Sequence, residues 1–214
     1  QSREAALEKA LDTLKRAQDA LDEAGFAEIT LCPETMGKIG QLGTLEEVLA
    51  LCGVDRRITP CIDFGHLNAR TLGGIRSKAD YAAILDRIGE ALGDARARQF
   101  HVHFSRIEYS RGGEKRHWTF AETQFGPEPQ PLMELLAERG LAPVIICESA
   151  GTQAEDAKTM KRFFEACLCT TSQSGLRPPA PLVGEPLAKR FTEIGCQGLP
   201  SLGEVALRSN DGEV

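Results

Sequence analysis

The feature that most constrains the fold is a unit that recurs over residues 1–166: an apolar stretch followed by an amphipathic segment. The apolar stretches are FAEITLCPE (26–34), RRITPCIDF (56–64), RQFHVHFS (98–105) and LAPVIICES (141–149). Near-continuous apolar strands that alternate with amphipathic helices are typical of a parallel sheet with helical crossovers. The sequence therefore predicts an α/β fold of about four βα units with parallel strands.

Helices are predicted from the segments between these strands. They span about 44–52, 77–92, 130–139 and 153–166, and a further polar amphipathic helix opens the chain. Thr44 with Glu47, and Ser77 with Asp80, have the spacing of a capping box at a helix start. Residues 167–214 are rich in Pro, Gly and Ser, so we predict a domain over 1–166 and a weakly ordered tail over 167–214.

Charge and cysteine content exclude some partners and favour one compartment. The formal net charge is −6, which provides no general attraction to nucleic acid, so DNA binding would need a local basic patch. No apolar run approaches the length of a membrane span, and no membrane partner is expected. Seven dispersed cysteines without metal-type pairing indicate reduced thiols and a cytoplasmic location.

Each predicted strand carries a polar group that could bind a metal or transfer a proton. These groups are Glu34, Asp63 with His66 three residues later, His101, and Glu148. The carboxyl ends of parallel strands share one face, where sites are built. Carboxylates and imidazoles together suit a divalent metal, most readily Zn, with Mn or Mg as alternatives.

Two features leave alternatives open. His101 and His103 share one face of the third strand, so one of them can be an ordinary core histidine. The loop SRIEYSRGGEKRHWTF (105–120) contributes His117 and several cations. The cations could hold phosphate groups or could belong to a solvated loop balanced by acidic residues; they are Arg106, Arg111, Lys115 and Arg116.

The motifs CPETMGKIGQLGTLEEVLALC, CIDFGHLNA, FHVHFSRIEYSRGGEKRHWTF and PVIICES resemble, in order and spacing, the C-terminal half of the endonuclease IV family. That family belongs to the xylose-isomerase-like TIM barrels, and the resemblance covers about residues 1–166. It implies a partial (β/α)8 barrel. It also implies a multi-zinc site that cleaves the phosphodiester bond 5′ to an abasic site.

The resemblance assigns roles residue by residue. One metal position is complete and consists of Glu34, Asp63, His101 and Glu148. Another keeps His66 and His117 but has Lys115 where the family has a carboxylate, so we expect at most two metals per chain. Glu148 or Glu34 would position the attacking water, and Arg116 and Lys115 would contact substrate.

Three functions are compatible with these residues. The first is metal-dependent phosphodiester hydrolysis at abasic DNA sites, with activity reduced by the altered loop. The second is a single-metal sugar isomerase or epimerase with Glu34 and Glu148 as the acid/base pair. The third is a non-catalytic barrel fragment. Four βα units cannot close an eight-stranded barrel, so we also expect self-association or a further half-barrel.

Overall fold

A computed structural model of the protein describes residues 2–173. Seven helices are assigned in this part of the chain: α1 (Arg3–Glu23), α2 (Leu45–Cys52), α3 (Phe64–Arg70), α4 (Lys78–Leu92), α5 (Asp94–Arg98), α6 (Pro129–Arg139) and α7 (Gln153–Gln173). The strands are β1 (Cys61–Asp63), β2 (His101–Phe104), β3 (Arg106–Ser110), β4 (Gly113–Trp118) and β5 (Val144–Cys147). None of these helices is long and apolar enough to cross a membrane.

Three short parallel strands form the central sheet, in the order β1-β2-β5. They lie within three of the four predicted strands and alternate with helices. The predicted α/β fold with parallel strands is therefore confirmed, and the sheet corresponds to part of a barrel wall.

The first predicted strand, 26–34, is largely irregular. Only Glu34 forms a bridge, parallel to Cys61 of β1. Backbone hydrogen bonds nevertheless hold the end of this segment beside β1, because the amide of Cys61 donates to Pro33 O and the amide of Thr35 donates to Cys61 O. Pro33 has no N–H to give to a ladder, which restricts regular pairing here. The segment still delivers Glu34 to the end of the sheet.

The predicted helices are confirmed, and two short ones were missed. Thr44 and Ser77 cap α2 and α4 in complete capping boxes. The additional helix α3 follows β1 without a loop, and α5 is a single short turn. Helix α7 continues to residue 173, so the first residues assigned to the tail are helical. Residues 174–214, where the rest of the predicted tail falls, lie outside the described part of the chain.

The two faces of the sheet have different character because side chains alternate along each strand. One face packs under the helices and includes Ile62, Val102 and Phe104, all fully buried in the main core. The opposite face carries four pairs of neighbouring residues. Cys61 of β1 lies beside His101 and Asp63 beside His103, and Val144 and Ile146 of β5 lie beside the same two histidines. The polar groups of the sheet are therefore gathered on the face away from the helices.

The polar loop predicted after the third strand is a two-stranded antiparallel hairpin, β3–β4. It begins one residue after β2 and contacts α3 and the loop that follows Glu34. The hairpin thus rises beside the carboxyl ends of the strands and forms one wall of the candidate site.

Candidate metal centre

Three carboxylates and one histidine meet at the carboxyl ends of the strands. The ligand atoms of Glu34, Asp63, His103 and Glu148 all lie within 4.8 Å of one another. Glu34 arrives from the bridge beside β1, and Glu148 follows β5, where its amide donates to Phe104 O at 3.0 Å. The predicted convergence of strand-end carboxylates is present in the structure.

The histidine in this group is His103, whereas His101 was predicted from the sequence. Parallel register pairs Asp63 with His103 and places His101 beside Cys61, one pleat further from the strand end. His101 therefore does not join the three carboxylates. It groups with Cys61 and His103 instead.

Asp63 is fully buried, and its two oxygens have different surroundings. Oδ1 accepts a 2.7 Å hydrogen bond from the amide of His66 and so caps α3. Oδ2 is buried and finds no hydrogen-bond partner among the described residues. Burial raises the pKa of this carboxyl. Oδ2 instead lies in an ion pair with His66 Nδ1, at 3.4 Å. A buried carboxylate oxygen that makes no hydrogen bond fits a bound cation, since a buried charge must be compensated.

Glu34 sits between two imidazoles. Its Oε1 lies 3.1 Å from His103 Nδ1 and 3.4 Å from His66 Nδ1. Burial raises the pKa of Glu34, but the hydrogen bonds with His66 and His103 outweigh it and lower the pKa overall. Glu34 is therefore ionised at neutral pH and available as a ligand.

A second group of donors borders the first. It contains His66, Glu114 and His117, whose ligand atoms also lie within 4.8 Å of one another. Glu114 Oε2 is 3.5 Å from His66 Nε2, and Glu114 Oε1 is 3.7 Å from His117 Nε2. Two histidines and one glutamate are a donor set found in zinc sites.

In both histidines of this second group, Nδ1 contacts an oxygen of a neighbouring residue. His66 Nδ1 lies 2.9 Å from Thr35 O, and His117 Nδ1 lies 2.8 Å from Ser105 Oγ. Such contacts fix the ring orientation and direct Nε2 toward a metal. Burial lowers the pKa of His66, but Glu34, Asp63 and Glu114 outweigh it and raise the pKa to about 9.

Glu114 was not identified from the sequence, and a β-bulge explains why. The ladder pairs Glu108 with Arg116 and then Tyr109 with Glu114, which leaves Lys115 as an extra residue. One extra residue changes the phase of alternation along a strand. Glu114 and His117, three residues apart, consequently reach the same donor group.

The bulge also corrects the expectation for Lys115. Its ammonium binds the carboxylate of Glu108, as does Arg116 Nε at 2.8 Å, so the cation is held by an ion pair. A carboxylate beside His66 and His117 is present nevertheless, that of Glu114. Arg106 is buried and pairs with Glu128 at 2.7 Å, a structural role.

A cleft of about 930 Å³ opens between the hairpin and the end of β5. Its lining includes Glu114 and His117 of the second group and Glu148 of the first. Lys115 and Arg116 also line it, so their predicted contact with substrate stays a prediction. The cleft gives both donor groups a route to a ligand from outside.

Comparison with known proteins places the chain in a family. The family model described as xylose isomerase-like TIM barrel matches residues 1–167. The chain is also similar to the uncharacterized protein MJ0133 of Methanocaldococcus jannaschii, with 34% identity over 164 residues. That match covers 77% of the chain and 59% of the relative, so the chain spans about three fifths of the relative's length. Together with the strand-end donor groups, the match over residues 1–167 shows that the chain belongs to the xylose isomerase-like TIM barrel family.

Proposed function

We propose that the chain carries a two-ion centre and acts as a metal-dependent phosphodiesterase of the endonuclease IV type, with abasic DNA as the candidate substrate. The observation that carries this proposal is Glu114, which completes a second donor group directly beside the first. Two contacts join the groups. Glu34 Oε1 lies 3.4 Å from His66 Nδ1, and His117 Nδ1 lies 3.8 Å from Glu148 Oε2.

The donor chemistry favours particular ions. Glu34, Asp63, His103 and Glu148 would hold one ion with mainly oxygen ligands, which suits Zn, Mn or Mg. His66, Glu114 and His117 would hold the other, and their two imidazoles favour Zn. Paired divalent ions in such a centre neutralise phosphate charge and lower the pKa of a bound water.

The protein's own groups would then handle the proton and the substrate. Glu148 lines the cleft and its side chain is 35% exposed, so its carboxylate can accept the proton of an attacking water. Glu34 lies between the two donor groups and would orient the same water from the inner side. Arg116 and Lys115 would steer an anionic substrate from the rim of the cleft.

A sugar isomerase or epimerase is the second candidate. It is favoured by the completeness of the first group on its own, since three carboxylates and His103 can hold a single ion. Glu34 Oε1 and Glu148 Oε1 lie 3.1 Å and 3.4 Å from His103 Nδ1, so one ion could be flanked by two proton-transfer groups.

Partners and location are proposals of the same kind. A small sugar or DNA could enter the cleft, and a further half-barrel or a second copy could complete the barrel wall. The thiols of Cys32, Cys52, Cys61 and Cys147 are free, which supports a cytoplasmic location.

The number of bound ions tests the proposal directly. We expect two ions per chain by plasma mass spectrometry after dialysis against Zn²⁺. Glu114→Gln should bind one ion, because it removes a charged ligand from the second group only. Lys115→Gln is the matched control at the next position and should still bind two, because Lys115 is paired with Glu108 outside the group.

Activity assays on the same preparations separate the candidates. Cleavage of an abasic duplex by the two-ion form, lost in Glu114→Gln, supports the phosphodiesterase. Sugar isomerisation that survives in Glu114→Gln supports the second candidate. Failure of the unmodified chain to bind any divalent ion would contradict both and favour a non-catalytic fragment.

A further inference from the structure

A third donor cluster lies one pleat below the carboxylate group, on the same face of the sheet. Cys61 of β1 and His101 of β2 are direct partners in the parallel ladder. Their ligand atoms and one of His103 all lie within 4.8 Å of one another. The rings of His101 and His103 pack edge to face with centroids 5.0 Å apart. Cys61 is 2% exposed, so the thiol faces these imidazoles rather than solvent.

The donors of this cluster are softer than those above it. A thiolate with two imidazoles suits Zn²⁺ or Cu(I), whereas the carboxylate group suits Mn²⁺ or Mg²⁺ as well as Zn²⁺. On binding, Cys61 would release its proton to solvent and Sγ would bond to the ion. All three donors come from the neighbouring strands β1 and β2, so they lie side by side before an ion binds.

His103 belongs to both clusters. Its Nδ1 lies 3.1 Å from Glu34 Oε1 in the carboxylate group, and the same ring is within reach of Cys61. A neutral imidazole has one nitrogen with a free lone pair, because the other carries the proton. His103 can therefore serve one ion at a time in its neutral form.

We propose that Cys61, His101 and His103 form a soft-metal site that competes with the carboxylate group for His103. Occupation of this site withdraws the only nitrogen ligand of the first group and weakens its hold on an oxygen-preferring ion. Cu(I), which prefers thiolate ligands, is thus an antagonist of the proposed centre. The inference depends on the two donor clusters and not on which reaction the centre performs.

Cobalt substitution tests whether the site exists. We expect the full chain titrated with Co²⁺ to develop the near-ultraviolet thiolate-to-cobalt charge-transfer band. Cys61→Ser and, independently, His101→Gln should lose or strongly weaken that band. Cys52→Ser is the matched control, because Cys52 is also buried but lies in α2 outside every donor cluster. Persistence of the band in Cys61→Ser, or its absence from the unmodified chain, would overturn the proposal.

Competition tests the shared ligand. Mn²⁺ binding, followed by electron paramagnetic resonance, reports on the carboxylate group alone. One equivalent of Cu(I) per chain, supplied anaerobically, should weaken Mn²⁺ binding by about tenfold or more in the unmodified protein. It should have little effect in Cys61→Ser. Mn²⁺ affinity that is indifferent to Cu(I) would refute the competition, whereas a chain that binds no Mn²⁺ at all would refute the proposed centre instead.

Discussion

His66 shows at the level of one residue how the site is prepared for a cation. Its side chain is 6% exposed, yet Glu34, Asp63 and Glu114 surround it, and together they raise its pKa from 6.5 to about 9. In the metal-free protein the imidazolium therefore takes the place of a cation among these carboxylates. A metal ion must displace that proton before Nε2 can act as a ligand.

The raised pKa of His66 predicts a specific pH dependence for the metal-free protein. A base whose pKa is higher in the folded state stabilises the fold below pH 6.5 and loses that contribution as pH rises toward 9. The full pKa shift corresponds to a contribution on the order of 3 kcal/mol to the free energy of unfolding. Thermal unfolding in the presence of a chelator should thus show a falling Tm between pH 6.5 and 9.

The variants that check this are His66→Gln and His101→Gln. The first should flatten the decline because it removes the titrating group. The second should retain it, because burial lowers the pKa of His101 and its titration lies below this range. A decline of the same size in His66→Gln would show that another group titrates there.

The candidate ligands at strand ends could be predicted from the sequence, whereas those that depend on strand register could not. Glu34, Asp63 and Glu148 each follow an apolar stretch, so their convergence could be predicted from chain order alone. His101 and His103 share a face, and only the pairing of β2 with β1 decides which of them reaches Asp63. Glu114 depends on a bulge, and alternation alone would have placed its side chain on the other face from His117.

At the scale of elements, the geometry of the second donor group depends on the distance between a loop and a hairpin. The loop after Glu34 runs against the β3–β4 hairpin, and Lys38 forms an antiparallel bridge with Gly113. Arg70 of α3 fixes this loop by donating to four of its carbonyls, among them Met36 O and Lys38 O at 2.7 Å. At Gly37 the backbone comes so near the hairpin that a side chain would meet Glu114 Cβ at 2.6 Å.

Gly37→Ala should therefore displace Glu114 and disturb the second donor group. The added methyl would also lie 3.0 Å from His66 Cδ2, so the loop must move away from both the hairpin and α3. We expect the affinity for the second ion to fall by about tenfold or more, with the first ion retained. Calorimetric titration with Zn²⁺ would separate the two binding events.

Gly40→Ala is the control for this change, since it lies in the same loop and an added methyl there meets nothing within 4 Å. It should leave both affinities unchanged. Equal losses in the two variants would mean that loop flexibility, and not contact with Glu114, governs the second ion.

At the scale of the whole molecule, the face of the central sheet that holds the site also carries two exposed apolar side chains. Val144 and Ile146 of β5 are 63% and 46% exposed, and both lie on the side of His101 and His103. In a closed barrel this face would be the interior, where such residues pack in layers. Exposed, they form an apolar surface of the kind that promotes association.

We expect Val144→Thr with Ile146→Thr to weaken self-association of the chain, measured by sedimentation velocity across a concentration series. Threonine keeps the β-branched shape suited to a strand while reducing apolar surface. Ile145→Thr is the internal control: Ile145 faces the helices and packs on the core, so this change should cost about 1 kcal/mol or more of stability and leave association unaffected. A monomeric unmodified chain at all concentrations would contradict the prediction.

The bulge in β4 also bears on how such a site changes over evolutionary time. Lys115 is the extra residue in the β3–β4 ladder. Its place in β4 decides which of the preceding side chains face the site. Moving the extra residue from the strand into the hairpin turn would pair Lys115 with Tyr109 and turn Glu114 away from the site, although no codon of a candidate ligand had been altered. A change in the position of a bulge, and not replacement of a ligand, is therefore a direct route by which a protein of this kind could acquire or lose the capacity for a second ion.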